Sequence, residues 1–228
     1  MIRRPFTDHS PDDMPMPGLN PYVAEHASFG REILPATDAL SWKDRWSAWF
    51  GRTAPMHLEI GSGNGFYLSG MAAQHPEADW VGLEIRYKRV VIAARKLRSL
   101  GLSNACAVRF DATHLDQLFP AESLAGVHIN HPDPWARDKQ AKHRLIGPEF
   151  LELLAPLMQP GAELRLKTDF PPHITALLEA AQGRFSVKDV RADVLAEGAP
   201  WPDDVRTNYQ RKADEKGVAV GAAWLVRG

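Results

Sequence analysis

The chain of 228 residues is long enough for one domain of ordinary size with a sizeable hydrophobic core. Its 27 basic and 28 acidic side chains nearly balance, so overall charge does not indicate a nucleic-acid partner, and any such surface must be local. No stretch reaches the roughly 18 consecutive apolar residues that a membrane span requires, and the N-terminus lacks the apolar core of a signal peptide. We therefore expect a cytoplasmic protein with no membrane partner.

Residues 1 to 35 are rich in proline and show little periodicity, which predicts a flexible leader, and residues 36 to 228 are expected to form a single domain. Aromatic residues at helical spacing between residues 37 and 50 predict a helix that packs on a sheet. From residue 56 onward, strands and helices alternate. Strands are predicted at 56–60, 80–84, 104–110, 125–130 and 163–167, and closing strands at 184–190 and 218–226. Helices are predicted at 65–75, 86–100, 150–158 and 171–182, and Pro156 is expected to break or kink the third of them. This alternation is typical of an α/β protein with a doubly wound, parallel sheet.

A glycine-rich segment, Glu59-Ile60-Gly61-Ser62-Gly63-Asn64-Gly65, joins the first strand of this series to the next helix. Glycines allow the backbone to approach a ligand closely, and a helix N-terminus offers N–H groups. A dinucleotide-binding fingerprint needs glycine at residue 66, where this chain has Phe66, so a dehydrogenase is disfavoured. The spacing instead resembles the first motif of S-adenosylmethionine-dependent methyltransferases. A purely structural tight turn is the alternative interpretation.

Acidic residues also follow the ends of the next two strands. Glu84 ends the second, where an acid can accept hydrogen bonds from both ribose hydroxyls, and Asp111-Ala112 follows the third, where an adenine amino group would lie. Either acid alone could be a helix cap. Together with Glu59, they place an acid at three consecutive strand ends, which is where an α/β sheet binds its ligand. We therefore predict a cofactor site at this edge of the sheet.

The fourth strand runs into Asn130-His131-Pro132-Asp133-Pro134-Trp135, of which Pro-Asp-Pro-Trp is the specific part. Further motifs follow at Lys142-x-Arg144-Leu145, Phe150-Leu151, Pro160-Gly161, Lys167-Thr168-Asp169-Phe170 and Arg206-Thr207-Asn208-Tyr209-Gln210. With these motifs, about two-thirds of the chain resembles the bacterial tRNA (guanine-N7-)-methyltransferase family.

The resemblance implies a Rossmann-like, class I methyltransferase fold with a mostly parallel sheet, helices on both faces and an antiparallel closing strand. It also implies S-adenosyl-L-methionine as cofactor, tRNA as partner and methyl transfer to N7 of guanine 46 in the variable loop. The cofactor-binding positions that it implies are Glu59, Gly61, Gly63, Gly65, Glu84, Asp111, Ala112 and Asp133, and Asp133 also matches the catalytic residue proposed for the family. The implied substrate-contacting positions include Arg137, Asp169, Thr207 and Gln210.

The chemistry of guanine fits these residues. Its N7 carries a lone pair and no proton, so methyl transfer needs alignment more than a strong base. A carboxylate such as Asp133 can stabilise the positive charge that develops on the imidazole ring. Basic residues directly after Trp135, among them Lys142 and Arg144, predict phosphate contacts, whereas those on the helix at 86–100 are interpreted as a solvated face. No spacing of Cys or His residues indicates a metal.

Two departures from the family pattern bear on RNA recognition. The basic run after Trp135 is interrupted by Asp138, Gln140 and Ala141, and Gln210 stands where the family has Glu. A glutamine amide satisfies only part of the guanine edge, so we expect weaker base binding. A divergent methyltransferase acting on another RNA or a small molecule and a non-catalytic RNA-binding relative therefore stay as alternatives. The sequence leaves a monomer and a homodimer equally open.

Overall fold

The computed structural model describes residues 21–228, apart from the side chains of Ala36, Thr37, Asp138 and Lys142. The chain divides into two compact units, unit 1 up to Pro120 and unit 2 from Ala121 to Gly228. No described helix is both long and apolar enough to cross a membrane.

The described part of unit 1, from residue 21, contains four strands that pair in the order β1-β4-β3-β2, each pair being parallel. In chain order its elements are α1 (Pro21–His26), β1 (Ile33–Leu34), α2 (Ala36–Ala39), α3 (Trp46–Phe50), β2 (Met56–Ile60), α4 (Phe66–Gln74), β3 (Asp79–Glu84), α5 (Tyr87–Ser99) and β4 (Ala105–Arg109). A 3₁₀ turn at Ala112–Gln117 follows β4. The strands predicted at 56–60, 80–84 and 104–110 and the helix predicted at 86–100 are therefore confirmed.

Alternating strands and helices bury the apolar side chains of this unit. All residues of β3 and β4 are buried, as expected for central strands of a parallel sheet. Helix α5 buries Val90, Ala93, Ala94 and Leu97 on one face and leaves its basic residues on the other. Cys106 lies fully buried in β4, and burial raises the pKa of its thiol.

Residues 21 to 35 differ from the flexible leader that the sequence predicts. Strand β1 pairs with β4, with Ile33 opposite Ala107, and both residues of β1 are buried. Two ion pairs hold this segment to α5: Arg95 Nε donates to Glu25 at 2.7 Å and Arg98 Nε donates to Glu32 at 3.0 Å. Part of the basic face of α5 therefore binds acids of the same unit. Residues 1 to 20, the rest of the predicted leader, lie outside the described residues.

The aromatic stripe between residues 37 and 50 is interrupted, in contrast to the single helix predicted there. Helix α2 passes into a 3₁₀ turn at Leu40–Trp42, and α3 starts only at Trp46. Trp46 is buried, its Nε1 donates to the carbonyl oxygen of Leu118 at 2.9 Å, and its ring stacks on Phe119. The stripe contributes to the core as predicted, although through separate short elements.

Unit 2 contains a parallel pair, β5 and β6, and two antiparallel pairings, β6 with β8 and β8 with β7. In chain order its elements are β5 (Leu124–Asn130), α6 (Pro148–Leu154), β6 (Met158–Thr168), α7 (Pro172–Ala180), β7 (Phe185–Arg191), α8 (Val194–Glu197), α9 (Asn208–Glu215) and β8 (Gly221–Arg227). The antiparallel closing strand is confirmed. The helix predicted at 150–158 is broken at Pro156, as expected: α6 ends at Leu154 and the chain turns through a 3₁₀ segment at Ala155–Leu157.

Candidate functional site

The loop after β2 has the backbone conformation that its glycines predict. Gly61, Gly63 and Gly65 have φ angles of 74°, 53° and 70°, which L-residues with side chains rarely adopt. A Cβ on Gly61 would meet nothing within 4 Å, whereas one on Gly65 would lie 2.7 Å from the Cβ of Ala93. The loop is therefore open at Gly61 and closely packed against α5 at Gly65.

Acidic side chains stand at the carboxyl edge of the unit 1 strands. Glu59 is buried next to the end of β2, and Glu84 is buried at the end of β3. The carboxylate of Glu84 is oriented by its surroundings: its Oε1 accepts a hydrogen bond of 3.0 Å from the N–H of Arg86, and its Oε2 lies 3.9 Å from the guanidinium of Arg89. The predicted row of acids therefore exists at this edge.

Asp111 follows β4 and begins the 3₁₀ turn whose first residue is Ala112. Its Oδ1 accepts hydrogen bonds of 2.9 Å from both the N–H and the hydroxyl of Thr113. The side chain thus caps the turn, which is the alternative role that the sequence allows for this acid. These cap contacts use one carboxylate oxygen and fix the direction of the other.

The loop after β5 carries Asp133 in unit 2, and its carboxylate is exposed. His131 and Trp135, which flank it, have φ angles of 49° and 39°. Each residue in this conformation costs about 1–2 kcal/mol, because its Cβ approaches the following carbonyl oxygen. The loop that presents Asp133 is therefore strained, as is common for functional loops.

Three side chains, those of His131, Asp169 and Tyr209, form a cluster next to this loop. The sequence did not predict them as a group. The ring of His131 packs against Tyr209 at 4.4 Å between centroids, and its Nδ1 lies 3.6 Å from Oδ1 of Asp169. The hydroxyl of Tyr209 donates to Oδ2 of Asp169 at 3.2 Å. Burial lowers the pKa of His131 to about 4, although nearby Asp169 opposes this shift. Burial and then the Asp169 carboxylate raise the pKa of Tyr209.

Residues of the predicted RNA-binding segment differ in their surroundings. Arg137 is exposed just before a 3₁₀ turn at Asp138–His143, and the side chain of Lys142 lies outside the described residues. Arg144 is partly buried, and it donates hydrogen bonds to the carbonyl oxygens of Pro134 and Trp135. Arg144 therefore contacts the Asp133 loop itself.

Thr207 and Gln210 are both buried at the start of α9. Thr207 Oγ1 accepts a hydrogen bond of 2.9 Å from the N–H of Gln210 and so caps the helix. The Oε1 of Gln210 accepts a hydrogen bond of 3.1 Å from Nζ of Lys167. Tyr209, which lies between these two residues in the sequence, is 53% exposed and is therefore more accessible to a ligand than either of them.

Several of these contacts had no signal in the sequence. Lys167 is fully buried, and its partner Asp204 lies far along the chain. Arg89 belongs to a helix face that the sequence presents as solvated. Within the described residues, no group of three or more His, Cys, Asp or Glu side chains could hold a metal ion.

Comparison with known proteins identifies relatives over most of the chain. Residues 53–223 match a protein family described as "Putative methyltransferase". The tRNA (guanine-N(7)-)-methyltransferase of Paracoccus denitrificans (strain Pd 1222) is 35% identical over 169 residues, covering 74% of this chain and 70% of that protein. The protein of the same name from Nitrosomonas europaea is 34% identical over 173 residues, covering 75% and 74%.

Solved structures show the same fold at lower sequence identity. The crystal structure of the 16S rRNA methyltransferase KamB matches with a TM-score of 0.62 at 18% identity, covering 81% of this chain and 93% of that one. TrmN from Thermus thermophilus matches with a TM-score of 0.57 at 21% identity, covering 90% and 52%. At these identities the likeness shows the fold alone, and it confirms the predicted class.

Proposed function

Because this chain belongs to the tRNA (guanine-N(7)-)-methyltransferase family, we propose that it transfers the methyl group of S-adenosyl-L-methionine to N7 of a guanine in tRNA. The structural observation that carries the proposal is the row of acids at the carboxyl ends of β2, β3 and β4 beside an open glycine loop. Parallel α/β sheets bind their ligands at this edge.

The residues of unit 1 fit the cofactor by the chemistry of their donors and acceptors. The Glu84 carboxylate, held by Arg86, can accept hydrogen bonds from the two ribose hydroxyls. Open space at Gly61 allows a ligand to approach the backbone. Asp111 and Ala112 are proposed to contact the adenine, and Glu59, with Gly63 and Gly65 in the same segment, the amino-acid end. When bound, the cofactor supplies an electrophilic methyl group on a sulfonium centre.

The residues of unit 2 are proposed to act on the guanine. Asp133 presents an exposed carboxylate on a loop whose backbone is strained at His131 and Trp135. Because N7 attack places positive charge on the imidazole ring, a fixed carboxylate lowers the barrier by electrostatic stabilisation. Asp169 and the segment from Thr207 to Gln210 are proposed to surround the base. Asp133 is also proposed to contact the cofactor.

Exposed cations after Trp135 are proposed to bind tRNA phosphates. Arg137 and Lys139 are both exposed. Lys142 is proposed as a third phosphate contact because it lies in the same basic segment of the sequence. We further propose that the target is guanine 46 of the variable loop. Because its proposed substrate is tRNA, we propose that the protein acts in the cytoplasm. A monomer or a homodimer is proposed as the active form.

The test is to incubate the protein with labelled S-adenosyl-L-methionine and, in parallel reactions, total tRNA or ribosomal RNA, and to identify the modified nucleoside. The proposal expects 7-methylguanosine, and a transcript with adenine in place of guanine 46 should accept no label. Incorporation only into ribosomal RNA, or into a different nucleoside, would support a divergent methyltransferase instead. Binding of tRNA without any methyl transfer would contradict the enzymatic assignment.

A further inference from the structure

The side chain of Arg144 is directed at the backbone of the loop that carries Asp133. Its Nε and Nη2 each donate a hydrogen bond of 3.1 Å, to the carbonyl oxygens of Pro134 and Trp135 respectively. The guanidinium carbon lies 5.2 Å from the centroid of the Phe170 ring. A planar guanidinium can serve two consecutive carbonyl groups and an aromatic face at once, and a lysine ammonium cannot reproduce this arrangement.

The Asp133 loop needs such restraint. His131 and Trp135, on either side of Asp133, are both in the left-handed region, which a residue with a side chain holds only when its surroundings enforce it. On the N-terminal side, the His131 N–H donates to the carbonyl oxygen of Lys167 at 2.8 Å. On the C-terminal side, the two hydrogen bonds from Arg144 supply the restraint.

Arg144 is itself anchored. Its N–H donates to the carbonyl oxygen of Ala141 at 3.0 Å, at the end of the 3₁₀ turn, and its side chain is only partly exposed. Because its Nε and Nη2 already donate to carbonyl groups of the loop, the guanidinium is held in one direction and is poorly suited to a mobile phosphate backbone. Arg137 and Lys139, by contrast, are exposed in the same segment.

We propose that Arg144 is a positioning residue, which fixes Asp133 by bonding to the carbonyl groups that follow it, and that it is not an RNA phosphate contact. The inference rests on the proposed function, in which Asp133 stabilises charge on the guanine. The proposal separates Arg144, which orders the Asp133 loop, from the other cations after Trp135, which bind RNA.

Arg144→Lys separates the two roles, because lysine keeps the charge and loses the planar pair of donors. We expect the single-turnover methylation rate at saturating tRNA to fall about 10- to 100-fold, because small misplacements of reacting groups cause rate losses of this size. The tRNA affinity and its salt dependence should stay at wild-type values. A wild-type rate in Arg144→Lys overturns the proposal.

Lys139→Gln is the comparison variant, since it removes an exposed charge from the same segment. It should weaken tRNA binding and reduce the slope of log affinity against log salt by about 0.7 to 0.9. If Arg144→Gln, which removes the charge, reduced the slope as much as Lys139→Gln does, Arg144 would be a phosphate contact and the proposal would fail.

A double-mutant cycle with Asp133→Asn tests whether Arg144 acts through Asp133. Residues that act as a unit give non-additive losses. Once Asp133 is replaced, Arg144→Lys should therefore slow single-turnover methylation by less than about 3-fold, against the larger loss expected in the wild-type background. Fully multiplicative losses would overturn the proposed route.

Amide hydrogen exchange gives a readout that needs no activity. Residues 131–137 should exchange faster in Arg144→Lys than in the wild type, with exchange in α7 unchanged, because the strained turn loses its restraint. Unchanged exchange would overturn the inference even if the wild type methylates tRNA. If exchange were faster in Arg144→Lys but the wild type methylated no tRNA, the positioning role of Arg144 would be supported and the proposed function would be contradicted.

Discussion

The ammonium group of Lys167 donates a hydrogen bond of 3.1 Å to Gln210 inside the core of unit 2. The same ammonium lies 2.6 Å from Oδ1 of Asp204 and donates to the carbonyl oxygen of Val205 at 3.0 Å. One buried positive charge therefore already has one carboxylate, and Gln210 adds a neutral acceptor. Gln210 links the start of α9 to β6, and its amide oxygen is already bonded to the ammonium group of Lys167.

Gln210→Glu, which restores the residue of the family pattern, is therefore expected not to raise methylation efficiency. A second carboxylate beside Lys167 leaves excess negative charge in a buried site, which should lower the free energy of unfolding by roughly 1–3 kcal/mol. Urea unfolding and kcat/KM on one tRNA transcript measure the two effects. Gln182→Glu makes the same chemical change at an exposed position of unit 2 and should be nearly neutral. A more stable and more active Gln210→Glu variant would contradict this account.

Glu84→Gln should weaken binding of S-adenosyl-L-methionine, or of its demethylated product, by about 1–3 kcal/mol, because an amide offers one acceptor where the carboxylate offers two. Titration calorimetry measures the change directly. Glu77→Gln is the matched control, since that side chain is 67% exposed in the same unit. Equal affinities of Glu84→Gln and wild type would remove Glu84 from the cofactor site.

Asp133→Asn is expected to lower the single-turnover methylation rate by roughly 100-fold while cofactor affinity stays largely intact, since a preorganised charge at a developing cation is worth about 3 kcal/mol. Glu149→Gln, at an exposed position of α6, controls for the loss of a carboxylate in the same unit. A near-normal rate in Asp133→Asn would refute the electrostatic role.

Two glycines of the loop after β2 should differ in their tolerance of alanine. Gly61→Ala incurs only the left-handed backbone strain, about 1–2 kcal/mol, because its Cβ would meet open space. Gly65→Ala adds a collision with Ala93 on α5 and should cost roughly 1–3 kcal/mol more. Urea unfolding without cofactor compares them, and equal losses would mean that the loop relaxes away from α5.

His131 should make stability depend on pH. Its pKa is lowered to about 4 by burial, so as pH falls below about 6.5 the unfolded chain takes up this proton before the folded one. The contribution of neutral, buried His131 to the free energy of unfolding is fully present above pH 6.5. It is lost as pH falls towards 4, by about 3 kcal/mol in all. Asn tolerates the left-handed backbone, so His131→Asn should flatten this dependence in urea unfolding. His143→Asn, at an exposed site, should not, and identical pH slopes in all three proteins would exclude His131 as the cause.

Local patterns predicted most of unit 1. The strand predicted at 56–60 is Met56–Ile60, and the helix predicted at 86–100 is Tyr87–Ser99, because apolar periodicity there reports burial directly. The glycine loop and the acids at the strand ends could also be predicted, because each is a short segment that carries its functional residues within a few positions of one another.

Contacts between distant segments were beyond such patterns. Helix α9 was not predicted, because its residues, Asn-Tyr-Gln-Arg-Lys-Ala-Asp-Glu, are mostly polar and its position depends on Lys167. Arg144 was assigned to phosphate binding from its charge, and only the structure brings its guanidinium to the carbonyl groups of Pro134 and Trp135. A charged side chain in a sequence does not disclose whether its partner is a phosphate or the protein's own backbone.

Cys106 gives unit 1 a built-in reporter. Because the thiol is buried in β4 and resists ionisation, a thiol reagent can reach it only when the strands around it open. The rate of its labelling therefore counts opening events of the sheet. Since the chain has no other cysteine, one added at an exposed surface position would react far faster, so a fluorophore or spin label could be attached there selectively with the native residue left in place.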